Sequence, residues 1–149
     1  MIEKLGSKFL TKTLEEKNET VLNNVSVVAL YFFASWSKHC NAFTPKLIDF
    51  YNNVNKNSEN GKALEIVALN FDSDENKFKD SVKDMPWLIL PFKDSQRIKI
   101  YQEFKEDLKG IPAVLVMKID GNIIVKNGRG EVQLKGVNCF ENWLKLCTA

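Results

Sequence analysis

The class of fold of this 149-residue chain is indicated by one segment, Val25-Ser-Val-Val-Ala-Leu-Tyr-Phe-Phe-Ala-Ser-Trp-Ser-Lys-His-Cys40. Its first part, up to Phe33, is apolar at successive positions and rich in β-branched and aromatic residues, which is typical of a central strand covered on both faces. The apolar residues that follow recur at steps of three and four, which predicts an amphipathic helix: Phe43, Leu47, Phe50, Tyr51 and Val54. Pro45 falls inside that helix and should kink its axis. A buried strand therefore leads through a short polar turn directly into a helix.

The middle of the chain repeats this alternation of strand and helix. A polar surface loop is predicted over residues 52–62, followed by a second buried strand over 63–70. Capping side chains at 72–75 predict a short helix over 76–83, and the resulting β-α-β order favours parallel pairing with a right-handed crossover. A further helix is predicted over 95–104. We expect three of its apolar residues to turn inward: Ile98, Ile100 and Tyr101.

The last third of the chain predicts an antiparallel hairpin and a closing helix. Strands over residues 113–119 and 123–125 flank Asp120-Gly121-Asn122, a strong hairpin signal. A helix over 138–147 places three apolar side chains on one face: Phe140, Trp143 and Leu144. Together these elements predict an α/β fold in one domain, residues 1–149, with a mixed central sheet flanked by helices on both faces.

Composition narrows the classes of function. A chain of 149 residues with 44% apolar and 27% charged residues can bury a core without staples. Its net charge of +2, with lysines interspersed among acids, argues against nucleic acid as a partner. The longest apolar stretch is about half the roughly 20 residues needed to cross a bilayer, and the N-terminus lacks the apolar run of a secretory signal. We expect a monomer with no membrane partner.

The three cysteines, Cys40, Cys139 and Cys147, are an odd number with no paired spacing. This pattern argues for free thiols in a reducing compartment, and the cytoplasm fits best. Cys139 and Cys147 lie two turns apart on the closing helix, too far for a disulfide bond, and are interpreted as packing residues. One Cys-His pair, Cys40 with His39, cannot supply the four ligands of a metal site, so neither a metal nor another cofactor is expected.

The segment between the first strand and its helix lies where a thioredoxin-type oxidoreductase carries Trp-Cys-x-x-Cys. Several further segments resemble the tryparedoxin/nucleoredoxin branch of the thioredoxin superfamily: Leu30–Trp36, Phe43–Leu47, Phe50–Tyr51, Met85–Phe92 and the Gly110-Ile111-Pro112 loop. The resemblance extends over nearly the whole chain. It implies the thioredoxin fold and thiol–disulfide oxidoreductase activity.

The resemblance also implies roles for single residues. Ser37 stands where the family has its attacking cysteine, and Cys40 stands at the position of the resolving cysteine. In such a site the helix N-terminus stabilises the thiolate of the first cysteine, and the second closes the disulfide and releases the substrate. Lys38 and His39 replace the residues usual between the two cysteines and are assigned to the substrate-binding site. Tyr31 takes the place of the buried acid of ordinary thioredoxins, so no such acid serves proton transfer here.

Three further residues complete the substrate site that the resemblance implies. Pro112 is expected in the cis form beside residue 37, and the backbone of Ile111 is expected to pair with a bound substrate. Trp36 is expected to shield the active site and form part of its rim. The implied substrates are protein disulfides such as those of peroxiredoxins. The implied reductant is a low-molecular-weight thiol such as glutathione or trypanothione.

Alternatives remain open at three residues and for the function. Ser37 fits a plain helix N-cap, and a hydrolytic serine is excluded because His39, two residues along the same helix start, points elsewhere. Cys40 is interpreted either as a half-buried inert thiol or as a residual redox thiol, and His39 either tunes a thiolate or does nothing. The leading hypothesis is an oxidoreductase impaired or trapped by Ser37, whether natural or introduced. The alternative is a redox-inert thioredoxin-fold module that binds extended peptides.

Overall fold

A mixed sheet of seven strands organises the chain in a computed structural model, which describes residues 5–56, 62–93 and 95–148. The strands are β1 (Phe9–Leu10), β2 (Glu16–Lys17), β3 (Val27–Phe33), β4 (Leu64–Asn70), β5 (Leu88–Ile89), β6 (Ala113–Met117) and β7 (Ile123–Val125). Their order across the sheet is β2-β1-β5-β4-β3-β6-β7. β3 pairs parallel with β4 and antiparallel with β6, so the predicted mixture of strand directions is confirmed.

Within the described residues there are five α-helices: α1 (Lys38–Asn55), α2 (Glu75–Val82), α3 (Gln96–Phe104), α4 (Gly128–Lys135) and α5 (Asn138–Thr148). The first three connect strands, and α4 and α5 follow β7. Short 3-10 helices span Glu19–Leu22 and Lys105–Asp107. α1 contains Pro45 and continues to Asn55, into the segment predicted as a loop. Residues 57–61 of that predicted loop lie outside the described residues. α4 was not predicted, because Gly128, Val132 and mostly polar neighbours leave it almost no apolar stripe.

The sheet separates two apolar cores, because successive side chains of β3 point to opposite faces. Tyr31 and Phe33 face the core that contains Phe43 of α1 and Trp143 of α5. Leu30, on the other face, packs in a core with residues of α3. Helices therefore cover both faces, as predicted, and β3 is buried along its whole length.

Helix α3 turns a different face to the core from the one predicted. Ile100 and Phe104 are buried, one helical turn apart, whereas Ile98 is 59% exposed and Tyr101 is 38% exposed. The expectation for Ile98 and Tyr101 was wrong because a helix so rich in charge has too weak an apolar pattern to select its buried face. None of the helices within the described ranges combines the length and apolar character that a bilayer span requires.

Candidate functional site

Ser37 begins helix α1. Its backbone is extended, with φ −91° and ψ 115°, and its side-chain oxygen accepts a hydrogen bond from the amide of Cys40 at 3.3 Å. The carbonyl of Ser37 accepts from the amide of Asn41 at 3.1 Å. These are the contacts of an N-cap residue, so the N-cap prediction is confirmed. The side chain of residue 37 therefore lies among the unpaired amides and the partial positive charge of the helix start.

Cys40 lies in the first turn of α1 and is only 1% exposed. The thiol belongs to the same apolar core as Phe43 and Tyr31. It is therefore fully buried, whereas one interpretation of the sequence was a half-buried thiol. The physical reason is position, since the third residue after the N-cap turns back under the helix toward the sheet. All three cysteines, Cys40, Cys139 and Cys147, are free thiols.

A chain of hydrogen bonds runs beside Cys40. The Thr44 hydroxyl donates to the carbonyl of Cys40 at 2.9 Å and lies 2.6 Å from the hydroxyl of Tyr31. Because a hydroxyl has a single proton, Tyr31 is the donor in the second contact. Burial raises the pKa of Tyr31 far above its ordinary value. Tyr31 is therefore a neutral phenol. Unlike a carboxylate, it does not take up a proton at neutral pH.

Lys38 and His39 lie between the cap and the buried cysteine, and both are exposed. They leave Cys40 as the inward-facing residue of the turn. Their cationic or polar side chains stand at the surface beside residue 37, where they meet whatever approaches the helix start. The first turn of the helix thus directs Cys40 inward and directs Lys38 and His39 toward solvent.

Trp36 and Trp87 lie in different environments, one at the surface and the other in the core. Trp87 is buried in the core with its ring edge-on to Tyr31, whereas Trp36 is 68% exposed. Trp36 lines a surface cavity of about 590 Å³ together with Phe71, Ile111 and residues of α3. The core residues, rather than Trp36, bury Cys40.

The peptide bond between Ile111 and Pro112 is cis, as predicted. Ile111 lines the same cavity as Trp36, which brings this loop and the turn before α1 to one opening. Neither the amide nor the carbonyl of Ile111 has a hydrogen-bonding partner within the part of the chain that the structure describes. An unpaired backbone at the rim of a cavity can pair with an extended peptide.

Asp72 lines the same cavity as Trp36 and Ile111, although it was not predicted to do so. It was counted among the capping side chains of α2, but Asp74 holds that position and accepts from the amides of Asn76 and Lys77. The Asp72 carboxylate turns instead to Ser35, in the turn before α1. No local signal marks this partner, because the two residues are far apart in sequence.

A comparison with protein families and known relatives identifies the chain. A family model described as Thioredoxin-like matches residues 24–123. Nucleoredoxin-like protein 1 of Homo sapiens is 36% identical over 121 residues, 78% of this chain and 56% of that protein. The chain belongs to the thioredoxin superfamily, in its tryparedoxin/nucleoredoxin branch. It is therefore a member of a thiol–disulfide oxidoreductase family.

Solved structures support the same assignment of this thioredoxin-superfamily chain. Tryparedoxin II from C. fasciculata is 32% identical and superposes with a TM-score of 0.78, covering 90% of this chain and 87% of that one. A tryparedoxin II complexed with glutathionylspermidine is 30% identical with a TM-score of 0.76, covering 89% and 91%. The chain spans only part of the first two curated relatives that it matches: 19% of the length of one and 56% of the length of the other.

The site of this thioredoxin-superfamily chain is built from the start of helix α1, the buried Cys40 and the Ile111 backbone. Across residues 5–56, 62–93 and 95–148, no three His, Cys, Asp or Glu side chains come together in a way that could hold a metal ion. What the site does provide is a helix start aimed at one side chain, Ser37, above the buried thiol of Cys40. A free backbone edge at Ile111 lines the adjoining cavity.

Proposed function

We propose that the start of α1 is a site of thiol–disulfide exchange with protein disulfides, in which residue 37 is the attacking position and Cys40 the resolving thiol. The observation that carries the proposal is the hydrogen bond from the Cys40 amide to the side chain of residue 37. A sulfur in that place would receive the same amide and the same helix field, which stabilise a thiolate. Ser37 keeps the geometry and removes the sulfur.

The proposed exchange has two steps. A thiolate at residue 37 attacks one sulfur of the substrate disulfide, forms a mixed disulfide and releases the other substrate sulfur as a thiolate. Cys40 then attacks the sulfur of residue 37, which closes an intramolecular disulfide, and the proton of the Cys40 thiol passes to the second substrate sulfur, which leaves as a thiol. Two electrons pass from the site to the substrate. With Ser37 this sequence cannot start, because a hydroxyl without an adjacent base stays protonated and oxygen forms no mixed disulfide.

Substrate positioning is assigned to the residues around the opening. The unpaired backbone of Ile111, beside Pro112, would pair with an extended segment of the substrate. Trp36 would form one rim of the contact, and the exposed Lys38 and His39 would meet the substrate next to the exchanging sulfur. The roles of Ile111 and Trp36 rest on the cavity that both residues line, and those of Lys38 and His39 rest on their exposure beside residue 37.

A low-molecular-weight thiol is proposed as the electron source. The glutathionylspermidine in the tryparedoxin II complex is such a thiol, which makes glutathione or trypanothione the class to test with this chain. Peroxiredoxins are proposed among the protein substrates. The chain is proposed to act as a monomer. Its three free thiols favour a reducing compartment such as the cytoplasm.

A redox-inert peptide-binding module is the second candidate function. Two observations favour it: the attacking position holds Ser37, and the unpaired backbone of Ile111 lines an open cavity of about 590 Å³. Binding through such an edge needs no sulfur at residue 37. Under this alternative, peptide affinity would be equal with serine or cysteine there.

Reduction of insulin disulfides tests the proposed function. We expect the chain as written to react at or near background and Ser37→Cys to gain about two orders of magnitude or more, because only the variant has an ionisable attacking sulfur. Cys40→Ala in the Ser37→Cys background should accumulate the mixed disulfide. If the chain as written matched Ser37→Cys and lost its rate in Cys40→Ala, a monothiol mechanism centred on Cys40 would replace the two-cysteine mechanism.

A further inference from the structure

A buried carboxylate, Asp72, lies behind the turn that carries Trp36. It is 2% exposed. Its two oxygens accept from the Ser35 amide at 3.2 and 3.1 Å, and Oδ1 also accepts from the Ser35 hydroxyl at 2.8 Å. Oδ2 accepts from the side-chain amide of Asn70 at 2.7 Å. Each of these partners donates, so the site is matched to a group that only accepts.

The same short segment also contacts helix α3, which contributes side chains to the lining of the cavity. The guanidinium of Arg97, in helix α3, donates to the backbone carbonyl of Asn70 at 2.7 Å. It also stacks over the ring of Phe92, 4.6 Å from its centroid. Arg97 of α3 and Trp36 both line the cavity. Residues 70–72 therefore contact two segments of its lining, the Ser35–Trp36 turn through Asp72 and helix α3 through the carbonyl of Asn70.

We propose that Asp72 is a positioning residue that holds the Ser35–Trp36 turn against strand β4 and so sets the shape of the cavity for protein substrates. A protein disulfide needs the cavity walls as well as residue 37, whereas a small disulfide needs little more than residue 37 itself. Loss of Asp72 should therefore weaken exchange with proteins more than exchange with small disulfides. Only this kinetic consequence rests on the proposed function; the positioning of the turn does not.

The isosteric variant Asp72→Asn tests the proposal at almost constant volume. It replaces one acceptor oxygen by a donor that must face either Ser35 or Asn70, both of which donate. The double variant Asn70→Asp with Asp72→Asn reverses the side-chain pair, so that residue 72 donates to residue 70 and still accepts from Ser35. Asp74→Asn is the matched control, because asparagine is as good an N-cap as aspartate. Ser35→Ala removes one donor and leaves the carboxylate untouched, should Asp72→Asn not fold.

The first readout needs no activity. Hydrogen exchange of the Ser35 amide should become about tenfold faster or more in Asp72→Asn, because that amide loses a charged acceptor, while the amides of β3 keep their rates. The indole resonance of Trp36 should shift in the same variant. The double variant should restore both signals, and Asp74→Asn should leave both unchanged. Unaltered Ser35 exchange in Asp72→Asn would overturn the proposal.

The second readout is kinetic and uses the Ser37→Cys background. We expect Asp72→Asn to lower kcat/KM for insulin about tenfold, mainly through KM, and to change the rate with glutathione disulfide less than about threefold. Equal losses for both substrates, or no recovery in the double variant, would contradict the proposed role. If Ser37→Cys reduced neither disulfide, the proposed function would fail. The hydrogen-exchange rate of the Ser35 amide and the indole resonance of Trp36 would still show whether Asp72 positions the turn.

Discussion

The backbone amide of Cys40 donates to the side-chain oxygen of Ser37 at 3.3 Å, and this contact joins the cap of helix α1 to the residue that carries the buried thiol of the first turn. One hydrogen bond thus serves two purposes. It satisfies an amide that the helix leaves unpaired, and it marks where a thiolate would be stabilised. Structure and proposed chemistry can be separated by changing residue 37 alone.

Ser37→Ala should lower the free energy of unfolding by about 1 kcal/mol, because it leaves the Cys40 amide without its cap. Ser37→Asn should keep most of the stability, since asparagine is an equally good cap. Urea unfolding of the three proteins measures the effect. Equal stability of the alanine and serine forms would show that the contact contributes nothing to α1.

The contact between Tyr31 and Thr44 predicts an asymmetry in stability. Thr44→Val should cost about 1–3 kcal/mol, because it removes the acceptor of the buried Tyr31 hydroxyl. In a Tyr31→Phe background the same change should cost less, since no hydroxyl is then left unpaired. A double-mutant cycle by chemical denaturation measures the coupling. Additive losses would mean that the two hydroxyls do not depend on each other.

Glu65 should make stability fall as the pH rises. Burial raises its pKa in the folded state, against the opposing effects of Lys62 and Tyr51. The folded chain then binds the proton more tightly than the unfolded chain. The contribution of Glu65 to stability is therefore fully present below the unfolded pKa, about 4.5, and is lost as the pH rises through the raised folded pKa, by at most about 1.4 kcal/mol per pH unit.

Glu65→Gln removes this titration and should flatten that part of the pH profile. Unfolding free energies at several values between pH 4.5 and 8 measure the difference between wild type and variant. Glu16→Gln, an exposed change in β2, is the control and should leave the profile unchanged. A wild-type stability that rises through this range, relative to Glu65→Gln, would contradict the prediction.

Thiol labelling should distinguish the three cysteines. Cys40 and Cys139 are 1% and 2% exposed, whereas Cys147 is half-buried, so a disulfide reagent should modify Cys147 first. Burial, together with nearby Glu131, raises the pKa of Cys139 to about 11, and burial also raises the pKa of Cys147, so native labelling at pH 8 should be slow for both. Unfolding should expose three reactive thiols. Fewer than three would reveal a disulfide.

Local signals in the sequence were enough for most of the elements and for the cap. The continuous apolar run of β3, the periodic stripe of α1 and the Asp120-Gly121-Asn122 turn each depend on residues close together in the chain. So does the N-cap role of Ser37, whose partner is three residues away. Interactions between residues so close in the chain are determined by local backbone geometry and side-chain chemistry. They can therefore be predicted from the sequence.

Two features depend on tertiary packing: which face of a helix is buried, and which distant residues form hydrogen bonds. Ile98 and Tyr101 line a cavity because Ile100 and Phe104 occupy the face of α3 that meets the sheet. Asp72 holds Ser35, 37 residues away in sequence, because the ends of the parallel strands β3 and β4 lie side by side. Such contacts depend on packing between distant segments, which periodicity and local capping rules do not encode.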